Sequence, residues 1–192
     1  TIAAQNYCRA DTCGAGTETR VPVASPQDGN VAICYDGQIG NRPEMPDSSQ
    51  VADVPYPEER LLLHLYKQYG EKMLYMLDDA IFSFVICDGD QIFAARDLLG
   101  IKTLFYGWKD GTLLFASELK SLVAVTNDVY EFPAGHYMAA DGQAIRFAEL
   151  PKAAPEQLDA DLDTMVEGVR NIILKSVRNR VDFREPTASL LS

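Results

Sequence analysis

The sequence is short of the residues on which several common chemistries depend. It has two histidines, His64 and His136, in 192 residues, too few for a histidine-rich zinc site and a poor basis for a Ser/His/Asp triad. His64 falls in a leucine-rich helical run and His136 borders a strand, so both are read as structural and no metal site is expected. No Cys-x-x-Cys pair and no Gly-x-x-x-x-Gly-Lys phosphate loop occurs. No apolar run approaches the ~18–20 residues that cross a bilayer, so no membrane span is expected. The opening Thr1-Ile2-Ala3-Ala4-Gln5-Asn6-Tyr7 lacks the basic start and apolar middle of a secretory signal. The four cysteines, Cys8, Cys13, Cys34 and Cys87, are sparse for a secreted disulfide scaffold. Cys34 and Cys87 lie in apolar strand-like runs, where reduced thiols are common, so the expected compartment is the cytoplasm. Basic residues are also in deficit, 17 against 28 acidic ones, a formal charge of −11. That balance repels a phosphate backbone and disfavours a nucleic-acid partner.

What is present is an ordinary globular composition, 47% hydrophobic and 23% charged, on a length suited to one large domain with an extension. The first thirty residues are polar and weakly periodic. Order begins with the apolar run Asn30 to Tyr35, which ends in Asp36-Gly37. Pro57 opens a helix from about Glu58 to Tyr69, with Leu61, Leu62, Leu65 and Tyr69 on one face and Gly70 as its stop. A short second helix is expected over Lys72 to Leu77. Three hairpins follow, with turns at Asp88-Gly89, Asp110-Gly111 and Asp141-Gly142. Asp-Gly between apolar runs is a strong hairpin signal, because the tight turns need positive φ. A short helix opened by Ser117 separates the second and third. Glu149 to Pro155 reads as a linker. Leu162, Met165, Val166, Val169, Ile172, Ile173 and Val177 then recur at helical spacing behind an Asp159 or Asp161 N-cap, and Ala188 to Leu191 reads as an incipient strand. The hairpins predict mainly antiparallel sheet and an α+β class. The predicted organisation is 1–148 as the main domain, 149–158 as linker, and 159–192 as the start of a truncated second domain. The missing initiator Met and the abrupt end suggest a fragment or a processed chain.

Two stretches carry most of the information: Ala95-Arg96-Asp97 through Gly100-Ile101-Lys102, and Phe115-Ala116-Ser117-Glu118-Leu119-Lys120. Taken alone, the Asp of Arg96-Asp97 is suited to binding loop amides and the Arg to reaching a carboxylate or carbonyl. Ser117-Glu118 alone is a helix start. In order, and together with Leu77 to Phe84, Glu131-Phe132-Pro133-Ala134-Gly135-His136-Tyr137 and Tyr35-Asp36-Gly37-Gln38-Ile39-Gly40-Asn41, they resemble the glutaminase half of the asparagine synthetase family, the class II glutamine amidotransferases. The resemblance spans roughly residues 21 to 192. It implies a four-layer αββα sandwich of the N-terminal-nucleophile type. In that family a first-residue Cys attacks the side-chain amide of glutamine and releases ammonia. Its own α-amino group, with an ordinary pKa near ~7.7–8.0, serves as the base. The ammonia passes to a synthetase domain that uses ATP and Mg to amidate a carboxylate. Val169 to Val181 and Ser189 to Ser192 resemble that domain's opening helix and strand, so no cofactor is expected in this chain. Glutamine is the implied substrate, and a synthetase domain or subunit the implied partner. The apolar Val169/Ile172/Ile173 face would favour association, for example as a homodimer.

The chain departs from the family at the positions that matter. It begins with Thr1-Ile2 where the family has Cys-Gly, leaving Thr1 as a candidate nucleophile. Arg9 lies about where a glutamine-carboxylate arginine would fall, with Arg20 as the other option. Asp36 replaces the Asn whose amide, with the Gly37 backbone N–H, forms the family's oxyanion hole. A carboxylate is acceptor-only, and losing one such donor costs about 10²–10³ in rate. The competing reading of Asp36-Gly37 is a hairpin turn. Gln38 replaces Glu. Glu58 replaces the Asp that holds the substrate ammonium, and Arg60 stands where that motif has Glu. Three functional expectations follow. The first is a glutaminase-type domain of an asparagine-synthetase-like amidotransferase, impaired in this chain. The second is a non-catalytic scaffold packed on a synthetase partner. The third is a Thr-dependent amidohydrolase.

Overall fold

In the computed structural model the described residues are 31–40, 56–77, 79–139, 141–150, 161–181 and 188, with the backbone of 23–24. The chain divides into two compact units, 1–149 and 150–192.

The larger unit is built on β-strands that alternate inward and outward side chains. Strands β1 (Val23–Ala24), β2 (Val31–Ile39), β3 (Ala80–Asp88), β4 (Gln91–Arg96), β8 (His136–Met138) and β9 (Ala144–Arg146) form one sheet in the order β1-β2-β3-β4-β8-β9. Strands β5 (Phe105–Lys109), β6 (Thr112–Ala116) and β7 (Val129–Glu131) form a second in the order β6-β5-β7. Every pairing in both is antiparallel. The three Asp-Gly signals fall at β3–β4, β5–β6 and β8–β9 as the sequence predicts.

Alternation splits the apolar side chains into two cores. Val31, Ile33, Tyr35, Phe82, Phe84, Ile86, Phe93 and Ala95 face helix α1 (Pro57–Tyr69), where they meet Leu61, Leu62, Leu63 and Leu65. Val85, Ile92, Ala94 and Met138, on the opposite face, pack against Leu104, Leu113 and Phe132, with Tyr106 and Phe115 of the second sheet beside them. Helix, sheet and sheet are therefore stacked layers. The short helix α2 (Leu119–Val123) lies against the second sheet with Leu122 buried. The residues after α1 form a 3₁₀ helix over Gly70–Met76, starting two residues before the expected helix.

One sequence reading is overturned. Asp36-Gly37 is not a turn: β2 runs straight through it, with Asp36 opposite Ser83 and Gly37 opposite Phe82. The reason is steric. A Cβ on Gly37 would run into the Ile81 carbonyl oxygen and lie 2.9 Å from Phe82 Cα, so the missing side chain lets two strands close up where a hairpin was an equally good reading. Cys34 is likewise corrected. It is disulfide-bonded, whereas Cys87 is the free thiol that the sequence predicts.

In the smaller unit, α3 (Leu162–Arg180) is capped by Asp161, whose carboxylate accepts from the Thr164 N–H at 3.0 Å and the Thr164 hydroxyl at 2.8 Å. These bonds, led by the backbone one, hold the Asp161 carboxyl below its ordinary range. Leu162, Val166, Val169, Ile172 and Ile173 are exposed along it. Among the described residues no helix is long and apolar enough to cross a membrane. Ser189 to Ser192, read as a strand, lie outside the described residues.

Candidate functional site

The C-terminal half of β2 turns backbone N–H groups away from β3, beside charged side chains. In an antiparallel ladder a residue turns its N–H and C=O to the same side, alternating from one neighbour to the next. The Phe82 C=O accepts from the Asp97 N–H at 2.8 Å, and the Phe82 N–H donates to Asp97 Oδ2 at 3.3 Å. Both groups of Phe82 are thus turned away from β2. Gly37, opposite it, is in a non-hydrogen-bonded pair and presents its N–H along the far edge of β2. Tyr35 and Ile39, two residues away on either side, present theirs along the same edge. The described ladder between β1 and β2 stops at Ile33.

Glu58, in the first turn of α1, reaches that edge. Its Oε1 accepts from the Ile39 N–H at 3.3 Å and its Oε2 from the Tyr35 hydroxyl at 2.7 Å. Burial, reinforced by the Glu58 charge, pushes the Tyr35 hydroxyl far above its ordinary value, so the phenol remains a proton donor to the carboxylate. Glu58 stands at a helix N-terminus, where the macrodipole favours a negative group. The Gly37 and Ile39 amides are about 6.6–6.8 Å apart along the strand, two residue steps.

Asp36 points to the other face of the sheet. Its Oδ1 lies 2.9 Å from the Lys102 Nζ, and both side chains are partly exposed. Lys102 is delivered by the loop after β4, which Asp97 organises. Asp97 Oδ1 accepts from the Leu99 and Ile101 N–H groups, and its Oδ2 from the Lys102 N–H, each at 3.1 Å. Arg96 ties down the same loop, donating to the carbonyls of Lys102 at 2.7 Å, Gly100 at 2.9 Å and Phe132 at 2.6 Å, and pairing with Glu131 at 2.8 Å. Gly100 has φ of +63°, and a Cβ there would meet the guanidinium at 3.2 Å, so glycine serves both backbone and packing. The Arg-Asp pair thus does what its residue types suggest from sequence. Ser83 bridges the pairs: it sits opposite both Asp36 and Arg96 and donates to the Thr103 carbonyl at 3.2 Å.

Of the sequence-predicted site residues, Asp36, Gly37, Gln38 and Glu58 converge on the end of β2. Gln38 is half-buried opposite Ile81. Thr1 and Arg9 lie outside the described residues. His136 begins β8 with its Nδ1 2.7 Å from the Ala134 carbonyl, a local contact. The sequence reading missed Tyr35 and Lys102 as members of the site. Tyr35 was legible, because it shares edge and face with Gly37 through the period of two. Lys102 was not, since its partner lies 66 residues away.

Comparison with known proteins identifies the family. Residues 14–124 match the family model described as a glutamine amidotransferase domain. Asparagine synthetase [glutamine-hydrolyzing] 2 of Arabidopsis thaliana is 33% identical over 171 residues, covering 86% of this chain and 29% of that protein. The nodule asparagine synthetase [glutamine-hydrolyzing] of Pisum sativum is 30% identical over 174 residues, with the same two coverages of 86% and 29%. The chain spans about a third of the length of the curated relatives it matches. Among solved structures, glutamine phosphoribosylpyrophosphate amidotransferase of B. subtilis superposes with a TM-score of 0.54 at 20% identity, over 67% of this chain and 31% of that one. That likeness is one of fold.

Proposed function

Because the chain belongs to the glutamine amidotransferase domain family, we propose that it is the glutamine-hydrolysing domain of an asparagine-synthetase-like amidotransferase, working at a reduced rate. The observation that carries this reading is the edge of β2, where the Gly37 N–H and the Glu58 carboxylate lie two residue steps apart. Glu58 takes the α-ammonium of glutamine, held in place by Tyr35 and the Ile39 N–H. The nucleophile, for which Thr1 is the candidate in this sequence, adds to the side-chain amide carbon. The carbonyl oxygen then takes the negative charge opposite the Gly37 N–H. Collapse of the intermediate expels ammonia, and water releases glutamate. The reduced rate follows from Asp36, which puts an acceptor where the family has a second donor.

Ammonia would serve a synthetase domain or subunit that amidates a carboxylate at the expense of ATP with Mg. Among the described residues no group of three or more His, Cys, Asp or Glu side chains is placed to hold a metal ion. The reading also includes a homodimer, supported by the exposed apolar side chains of α3. A cytoplasmic setting, expected from the few cysteines of the chain, is opposed by the disulfide at Cys34.

The Asp36–Lys102 ion pair supports a second reading, a scaffold without hydrolytic activity, because it fills a position the family uses for an uncharged donor. Glutamate and ammonia released from L-glutamine, measured for the wild type and for Glu58→Ala, separate the two. Release that Glu58→Ala weakens through a raised KM supports hydrolysis. No release from the wild type establishes the scaffold.

A further inference from the structure

We infer that the Lys102 ammonium, held by Asp36, is the second oxyanion donor of this site, in place of a side-chain amide. The inference rests on the functional reading above and assigns a catalytic residue to it. Asp36 precedes Gly37 on β2, and a carboxylate there would repel the charge developing on the substrate oxygen. The structure answers that repulsion directly, with Lys102 Nζ 2.9 Å from Asp36 Oδ1. An ammonium carries three donors. Asp36 engages one, which fixes the head group, and leaves the others for an oxygen arriving beside Gly37, the next residue on β2.

The backbone of Lys102 is anchored on both sides of its Cα. Its N–H donates to Asp97 Oδ2 at 3.1 Å, and its carbonyl accepts from Arg96 Nε at 2.7 Å. Arg96 is 5% exposed and Asp97 2%, so the loop that presents the lysine is fastened to the core. The lysine side chain itself is 30% exposed and its Asp36 partner 40%, which leaves the pair open to solvent and to a ligand. Catalytic use of such donors depends on their being set before the reaction begins, and this loop meets that condition. Asp36 and Lys102 therefore act as one unit. A carboxylate at position 36 gives the oxyanion no donor and relies on Lys102 for one, whereas an Asn there would supply a donor on its own.

The test is a cycle of Lys102→Met, Asp36→Asn and the double variant, assayed for glutamine hydrolysis and for binding of L-glutamate. The γ-carboxylate of glutamate puts negative oxygen where the oxyanion forms. Lys102→Met is expected to lose about 10²–10³-fold in kcat with KM changed far less, and to bind L-glutamate at least about tenfold more weakly. Asp36→Asn, which supplies a donor of its own and keeps Lys102, is expected to be at least as active as the wild type. The double variant is expected to be more active than Lys102→Met, because replacing the carboxylate by an amide restores a donor. Hydrolysis and glutamate binding in Lys102→Met equal to wild type overturn the assignment while leaving the functional reading intact. A double variant no better than Lys102→Met also overturns it. A wild type that neither hydrolyses glutamine nor binds glutamate overturns the functional reading and the assignment together.

Discussion

Two ion pairs on one face of the larger sheet, anchored on β2 and on β4 with β3 between them, differ in burial and in partners. Arg96 is buried, and its donors meet three backbone carbonyls and Glu131. Asp36 and Lys102 are partly solvent-exposed, and the lysine arrives on a loop that the first pair holds rigid. A buried cation with saturated partners is structural, because any vacancy leaves uncompensated polar groups in the interior. A half-exposed pair contributes little to stability and keeps its donors addressable. The lesson is that this fold places its stability two strands inward from its candidate site.

The comparison can be broken most forcefully at Arg96. Arg96→Met should cost about 3–5 kcal/mol, read from the urea midpoint at constant slope. Lys102→Met should cost no more than about 1 kcal/mol. Equal losses would erase the distinction. Gly37→Ala comes next: it forces β2 and β3 apart at Ile81 and Phe82, for about 1–3 kcal/mol together with loss of glutamine hydrolysis. Tyr35→Phe is milder, about 1–2 kcal/mol after discounting for the partly exposed carboxylate it serves.

Tyr35 also carries a pH signature. Its hydroxyl is raised above the ordinary value of 10.0, so above about pH 10 the unfolded chain loses a proton that the folded one keeps. Stability must fall with rising pH there, at about 1.36 kcal/mol per pH unit for this one proton. Tyr35→Phe should remove one proton's worth of that slope, measured by thermal melts between pH 10 and 11. The smallest effect is expected at Glu131, whose side chain is 65% exposed. Glu131→Gln should change stability by no more than about 1 kcal/mol, because the carbonyls, and not this carboxylate, fix Arg96.

The parts of the fold that were legible are those governed by local periodicity. The Asp-Gly hairpins, α1 with its leucine face and the Asp161 cap of α3 all follow from spacing within a dozen residues. Strand β7 was not read as a strand, since its three residues show no alternation of their own and exist through pairing with β5. The passage of β2 through Asp36-Gly37 was ambiguous for a related reason. Asp-Gly suits a turn, and only the approach of β3, some forty residues later in sequence, decides otherwise. At the site, the glycine and the glutamate were legible as residue types in order. The partners that give them meaning, Tyr35 to Glu58 and Lys102 to Asp36, are separated by 23 and 66 residues and belong to tertiary structure.

The central claim is that a glutamine side chain meets the Gly37 amide on the side of β2 turned away from β3. Amide NMR of the ¹⁵N-labelled chain titrated with L-glutamine tests it directly. The account predicts a saturable shift of the Gly37 resonance, accompanied by Ile39 and weakened in Glu58→Ala. Saturating glutamine that leaves Gly37 and Ile39 unmoved would contradict it.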